Sequence, residues 1–155
     1  LCWPPPIMTK LHYIARKTWV VALSAAGLLP FAAFTLATAL GEPSFLFPFM
    51  LYSLAITCFL AGSWWGISLA KMPVNAGILI APIVSNALVL LSVIALWQGN
   101  KTIFLLNQIV VFLILLIGEH ILRPFTQAPL YYRHMRLWVT LTVIVIHVLQ
   151  LLFSL

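Results

Sequence analysis

Hydrophobic residues run through this chain in five unbroken stretches, residues 19–40, 45–69, 78–96, 103–122 and 137–155, separated by short polar or proline-containing connections. Carrying an α-helix across the hydrocarbon core of a bilayer takes about 20 apolar residues, and each stretch is of that order. None has the apolar–polar alternation over about ten residues that marks a membrane barrel strand. Backbone polar groups in lipid must be paired, within a helix or between the strands of a closed barrel. The pattern therefore predicts an all-α integral membrane bundle of five transmembrane helices. Residues 19–155 are read as that single domain, and residues 1–18 as a short basic lead-in.

Turn chemistry punctuates the runs. Gly41-Glu42-Pro43 and Gln98-Gly99-Asn100-Lys101 read as compact turns on one side of the membrane. On the other side lie the Pro73-containing connection and the longest one, residues 123–136. With Pro124 and Pro129 and no helical stripe, that longest connection reads as an ordered interfacial loop. Pro30 stands near the middle of the first run. It removes one backbone hydrogen bond and crowds the preceding turn, which predicts a kink near Gly27.

Composition reinforces the membrane reading. Of the 155 residues, 64% are hydrophobic and only 6% charged, whereas soluble domains carry roughly 25% charged residues. The net charge of +6 would suit a nucleic-acid binder, but position excludes that use. Lys10, Arg16, Lys17, Lys71, Arg123, Arg133 and Arg136 all fall on one side of a five-span chain, and the other side receives Glu42 and Lys101. Such asymmetry predicts a cytoplasmic N-terminus and an exported C-terminus. The first partner implied is thus the lipid bilayer. Residues 1–7 are read as an upstream extension of the reading frame, with Met8-Thr9-Lys10 as the more natural start. No small-residue cleavage site follows a short apolar region, so the first span is expected to stay as a signal anchor.

Catalytic and cofactor chemistry finds little footing, and no catalytic, cofactor-binding or metal residues are assigned. The chain has no aspartate, and its acids are Glu42 and Glu119, which argues against a Ser-His-Asp hydrolase and against metal-assisted phosphoryl transfer. His12, His120 and His134 are expected near the cytoplasmic face and His147 near the midplane, so no two histidines match in depth for a haem. No zinc motif is present. Cys2 and Cys58 form no disulfide framework.

Two kinds of position remain. Cys58, Gly62, Gly66 and Ala70 recur every four residues along the second span. They line one helix face with small residues and enclose a GxxxG motif, Gly62-Ser63-Trp64-Trp65-Gly66, that lets two helix backbones approach closely. With four other spans available, an internal partner is favoured over another membrane protein or a second copy. The other kind is the intramembrane polar group, a functional candidate by default. Glu119 precedes Arg123 by four residues, the favourable order for a helical ion pair. On the fifth span Thr140, His147, Gln150 and Ser154 share one side. Asn86 on the third span has the depth to bond His147.

Three stretches carry a resemblance: Gly27-Leu28-Leu29-Pro30-Phe31, then Phe59 to Gly66, then Tyr131-Tyr132-Arg133 with Met135-Arg136-Leu137 and Thr140. In order and spacing, over residues 20–150, they resemble the transmembrane protein 69-like family, domain of unknown function 3429. The resemblance implies a small multi-span protein of a bacterial inner membrane, with the mitochondrial inner membrane as the alternative, and it implies no reaction. Its shared positions would be Gly27, Pro30, Gly62, Trp65, Gly66, Tyr132 and Arg136. Where members place a histidine or another polar residue before the Trp-Gly pair, this chain has Trp64, which speaks against a polar role there. The leading expectation is a non-enzymatic accessory or assembly component of a membrane complex. The alternative is a small transporter or embedded small-molecule binder with a polar cavity near Asn86, His147 and Gln150.

Overall fold

The computed structural model describes residues 17–70, 76–121 and 130–154. Helix α1 covers residues 17–26 and α2 covers Leu29–Ala39. A single 3-10 turn, Pro43–Phe45, leads into α3 (Leu46–Ala70), followed by α4 (Ala76–Trp97), α5 (Lys101–Ile121) and α6 (Leu130–Ser154). Five helices, counting α1 and α2 as one bent span, are long and apolar enough to cross a membrane. The described residues contain no strand, and each helix satisfies its backbone internally, as a span in lipid requires.

The bend in the first span lies where the proline predicts it. Residues 27 and 28 leave the helix, the Leu28 amide turns to the Ala25 carbonyl at 3.0 Å, and Pro30 stands in the first turn of α2. A proline there costs no hydrogen bond, because the first amides of a helix have no internal acceptor. The Gly27 carbonyl, at the break, accepts a 2.9 Å bond from the Tyr52 hydroxyl of α3. The kink is thereby fixed to its neighbour.

Helix ends follow from the turn residues. Gly41, at φ +93°, ends α2 with its amide on the Thr38 carbonyl and the Glu42 amide on that of Ala37. This paired closure needs a left-handed residue, which glycine supplies without strain. The Asn100 side chain caps α5 by accepting from the amides of Thr102 and Ile103 at 3.0 and 3.2 Å.

The helices form a closed ring. Each of α2 to α6 packs on the next, α6 returns to α2, and α3 crosses the middle to touch α5. One apolar core joins Phe31, Phe49, Phe104, Phe112 and Val143, and a second joins Trp64, Ala81, Leu88, Val111 and Leu115. The circumference is apolar as well, with Phe59, Trp97 and Leu152 among the exposed side chains. What separates inside from outside is polarity: Ser53, Thr57, Gln108, His147 and Gln150 are all 0% exposed. In lipid a polar group is best placed against another helix.

One boundary differs from expectation. The last helix begins at Leu130, so residues 130–136 are helical and not part of an interfacial loop. Tyr131, Tyr132, Arg133 and Arg136 are thus carried on α6. A longer helix satisfies their backbone internally, and Arg136 finds a partner on α5.

Candidate functional site

Near the ends of α5 and α6 that meet, polar side chains from three helices converge. Glu119 stands two residues before the end of α5 at Ile121. The Arg136 guanidinium grips its carboxylate with two donors, Nε to Oε2 at 3.1 Å and Nη2 to Oε1. The remaining terminal nitrogen, Nη1, reaches the Tyr132 hydroxyl at 3.3 Å and Ser63 Oγ of α3 at 3.4 Å. The Trp64 indole donates to Glu119 Oε1 at 3.3 Å. Side-chain exposures of 8% for Arg136 and 13% for Glu119 make this a buried ion pair. A two-pronged arginine–carboxylate contact is among the strongest side-chain interactions, and it fixes orientation as well as charge.

Trp64 is itself 0% exposed and packs over Gly118. A Cβ at that glycine would stand 2.4 Å from the Trp64 ring. Gly118 thus makes room for the indole, and the indole reaches the carboxylate one residue further on. The departure at Trp64 noted in the sequence does not remove a polar role from this position, because the indole N–H performs one.

The second polar station lies deeper. His147 Nδ1 is 2.8 Å from the Val143 carbonyl, which only accepts, so Nδ1 carries the proton. Nε2 must then accept, and the Ser53 hydroxyl donates to it at 2.7 Å. Phe31, Phe49 and Phe112 surround the ring with centroids at 5.4, 4.9 and 5.2 Å. Both nitrogens are engaged and the ring is sealed from the surface, which suits a neutral bridge between α3 and α6. Ser53→Ala would leave Nε2 buried and unpaired, at a cost of about 1–3 kcal/mol. Thermal unfolding in detergent should show a clear fall in midpoint for this variant.

Further pairs tie other helices. Thr57 of α3 bonds Gln108 of α5, Gln150 of α6 donates to Thr38 of α2 at 3.0 Å, and Asn107 of α5 donates to Ser92 of α4 at 3.3 Å. Gln108 Nε2, Gln150 Oε1 and Thr35 Oγ1 are buried without a partner among the described residues.

Several expectations are corrected by this geometry. Asn86 does not bond His147. It lies exposed on α4 and accepts from the Trp65 indole at 3.2 Å. Depth along a helix was matched, but its azimuth was not. Glu119 pairs with Arg136 across two helices, and the expected partner, Arg123, lies outside the described residues. Among the described residues, the small-residue row meets no other helix. Cys58, Gly62 and Gly66 are exposed, and a Cβ on either glycine would meet nothing within 4 Å among the described residues. At about 100° per residue, the row stands half a turn from the face of α3 that buries Ser53, Thr57 and Trp64. The side chain of Ala70 lies outside the described residues.

The cavity is not at the expected place either. A volume of about 320 Å³ opens between α1, α3 and α6, with Phe31 and Phe112 at its back and Arg136, Tyr132 and Thr140 on its α6 wall. Asn86, His147 and Gln150 do not line it. Among the described residues, no three metal-binding side chains come together.

A family model described as "Protein of unknown function (DUF3429)" matches residues 16–152, nearly the whole chain. This bears out the resemblance to domain of unknown function 3429 drawn from the Gly-Pro, Gly-Trp and Tyr-Arg stretches. No curated protein and no solved structure matches the chain.

Proposed function

The chain belongs to the DUF3429 family, and we propose that it acts without catalysis, as an accessory or assembly component held against another membrane protein through the outer face of α3. The observation that carries this reading is the outward position of Cys58, Gly62 and Gly66. Inside a bilayer, close approach of backbones supplies packing and weak hydrogen bonds that lipid chains match poorly. Among the described residues nothing packs on Gly62 or Gly66, which leaves this face as a place for another helix to bind. The strongly polar interior groups, by contrast, are spent on joining helices: the Glu119–Arg136 pair and the Ser53–His147 bridge link α3, α5 and α6. That division favours a scaffold over an enzyme or a proton-coupled transporter. The basic asymmetry of the sequence supports a cytoplasmic N-terminus, and the inner membrane of a bacterium is the setting we assign.

Cys58 makes the reading testable, since it is exposed beside the two glycines. With Cys2 replaced by serine, a short thiol-reactive crosslinker applied to native membranes should trap one discrete adduct from Cys58. Gly62→Leu should abolish the adduct while the purified chain stays folded and monodisperse. Loss of the folded chain itself in Gly62→Leu would assign the row to internal packing and overturn the proposal.

A further inference from the structure

We infer that the cavity between α1, α3 and α6 is a binding site for a lipid-like amphiphile, one apolar chain ended by an uncharged carbonyl-bearing head. This goes beyond the accessory reading and does not depend on it.

Three observations point to that class. The volume of about 320 Å³ falls at the lower end of the roughly 300–1,000 Å³ typical of small-molecule sites. It accommodates a single chain or a small ring and excludes a polypeptide element. The rim reaches the outer surface, for Leu23 of α1 and Phe59 of α3 line it and are 68% and 72% exposed. Both belong to spans, so a ligand arrives laterally from the bilayer and must itself be apolar along most of its length. The lining is apolar except for Ser24 of α1, whose hydroxyl donates to the Val20 carbonyl at 2.8 Å, and for the α6 side, where Tyr132, Arg136 and Thr140 stand one turn apart. Thr140 lines this space and is 7% exposed, and its hydroxyl makes no hydrogen bond to a described residue.

The charge of the head follows from the ion pair. Glu119 already neutralises Arg136 with two contacts. An anionic head would compete with a buried carboxylate for the same guanidinium and leave one of the two acids uncompensated, a costly outcome in a low-dielectric site. A neutral acceptor, such as an ester or ring carbonyl, needs only a hydroxyl donor of the kind Thr140 offers. Two bilayer constituents share this chemistry, the acyl ester of a glycerolipid and an isoprenoid quinone.

The test uses the full chain in nanodiscs of neutral phospholipid, with a monoacylglycerol carrying a photoactivatable group in its chain as the probe. After irradiation, peptide mapping should place most adducts on Ile56, Met135, Val139 and Val143. Val139→Phe should cut labelling at the other three at least tenfold, and Leu23→Trp, at the exposed rim, should do so from the opposite wall. Val145→Phe, on the exposed side of α6, should leave it unchanged. Competition by monoolein would identify a glycerolipid-type ligand, and competition by decylubiquinone a quinone. Labelling spread evenly over exposed residues such as Val145 and Leu152, or competition by neither compound, would overturn the proposal. Stronger competition by oleate than by either neutral compound would overturn the assignment of an uncharged head. The wild-type label map decides the matter even if both filling variants prove unstable.

Discussion

Replacing Arg136 with methionine while Glu119 stays in place should be the most damaging single change in the bundle. The variant keeps most of the side-chain volume and removes every donor that the carboxylate now uses, except the Trp64 indole. A buried charge stripped of its partner typically costs about 3–5 kcal/mol. For a small membrane domain this is a large share of total stability, and the variant should aggregate on extraction or unfold well below the wild-type temperature. The double variant Glu119→Leu/Arg136→Met removes both charges and should recover most of the loss. Size-exclusion profiles after a temperature ramp would separate the outcomes. A single variant as stable as wild type would show that the pair contributes nothing to the fold.

Trp64→Ala should come second. The indole is fully enclosed among α3, α4 and α5 and is the largest of the buried side chains. Truncating such a ring costs about 3–5 kcal/mol through lost contacts and the cavity left behind. The packing against Gly118 supplies an internal check. Gly118→Ala should destabilise the wild-type chain by about 1–3 kcal/mol, because its Cβ would overlap the ring and the surroundings are filled. In the Trp64→Ala background the same methyl group enters empty space, so its cost should vanish or reverse. Chemical unfolding of the four proteins gives the coupling directly. Additive effects would mean that the ring does not rest on Gly118.

These two residues also mark what the sequence concealed. The helices themselves were legible because lipid leaves a long apolar run no other fold, and the bend was legible because Pro30 permits little else. The inward face of α6 could be read from Thr140, His147 and Gln150, since polar groups in a span turn towards other helices. Arg136 was harder to place. The apolar run starts at Leu137, so the arginine looked like part of a loop. The signal that places it is antiparallel depth: it enters α6 just before the apolar run, as Glu119 precedes the end of α5. Trp64 reads as one more apolar residue unless its N–H is counted. Azimuth is the quantity hydropathy cannot supply in a helix that is apolar all round. That is why Asn86 was paired with His147 at matching depth, though it stands on another face. For the same reason the spacing of Cys58, Gly62 and Gly66 reveals a small-residue row but not the side of α3 on which it stands.

Whether that row holds a partner can be read by native mass spectrometry of the full chain, released gently from its own membrane. The spectrum should show an assembly heavier than the 17.3 kDa chain, with the added component lost in Gly62→Leu and the variant chain still folded. A wild-type chain found alone, or an assembly that survives Gly62→Leu intact, would contradict the accessory role.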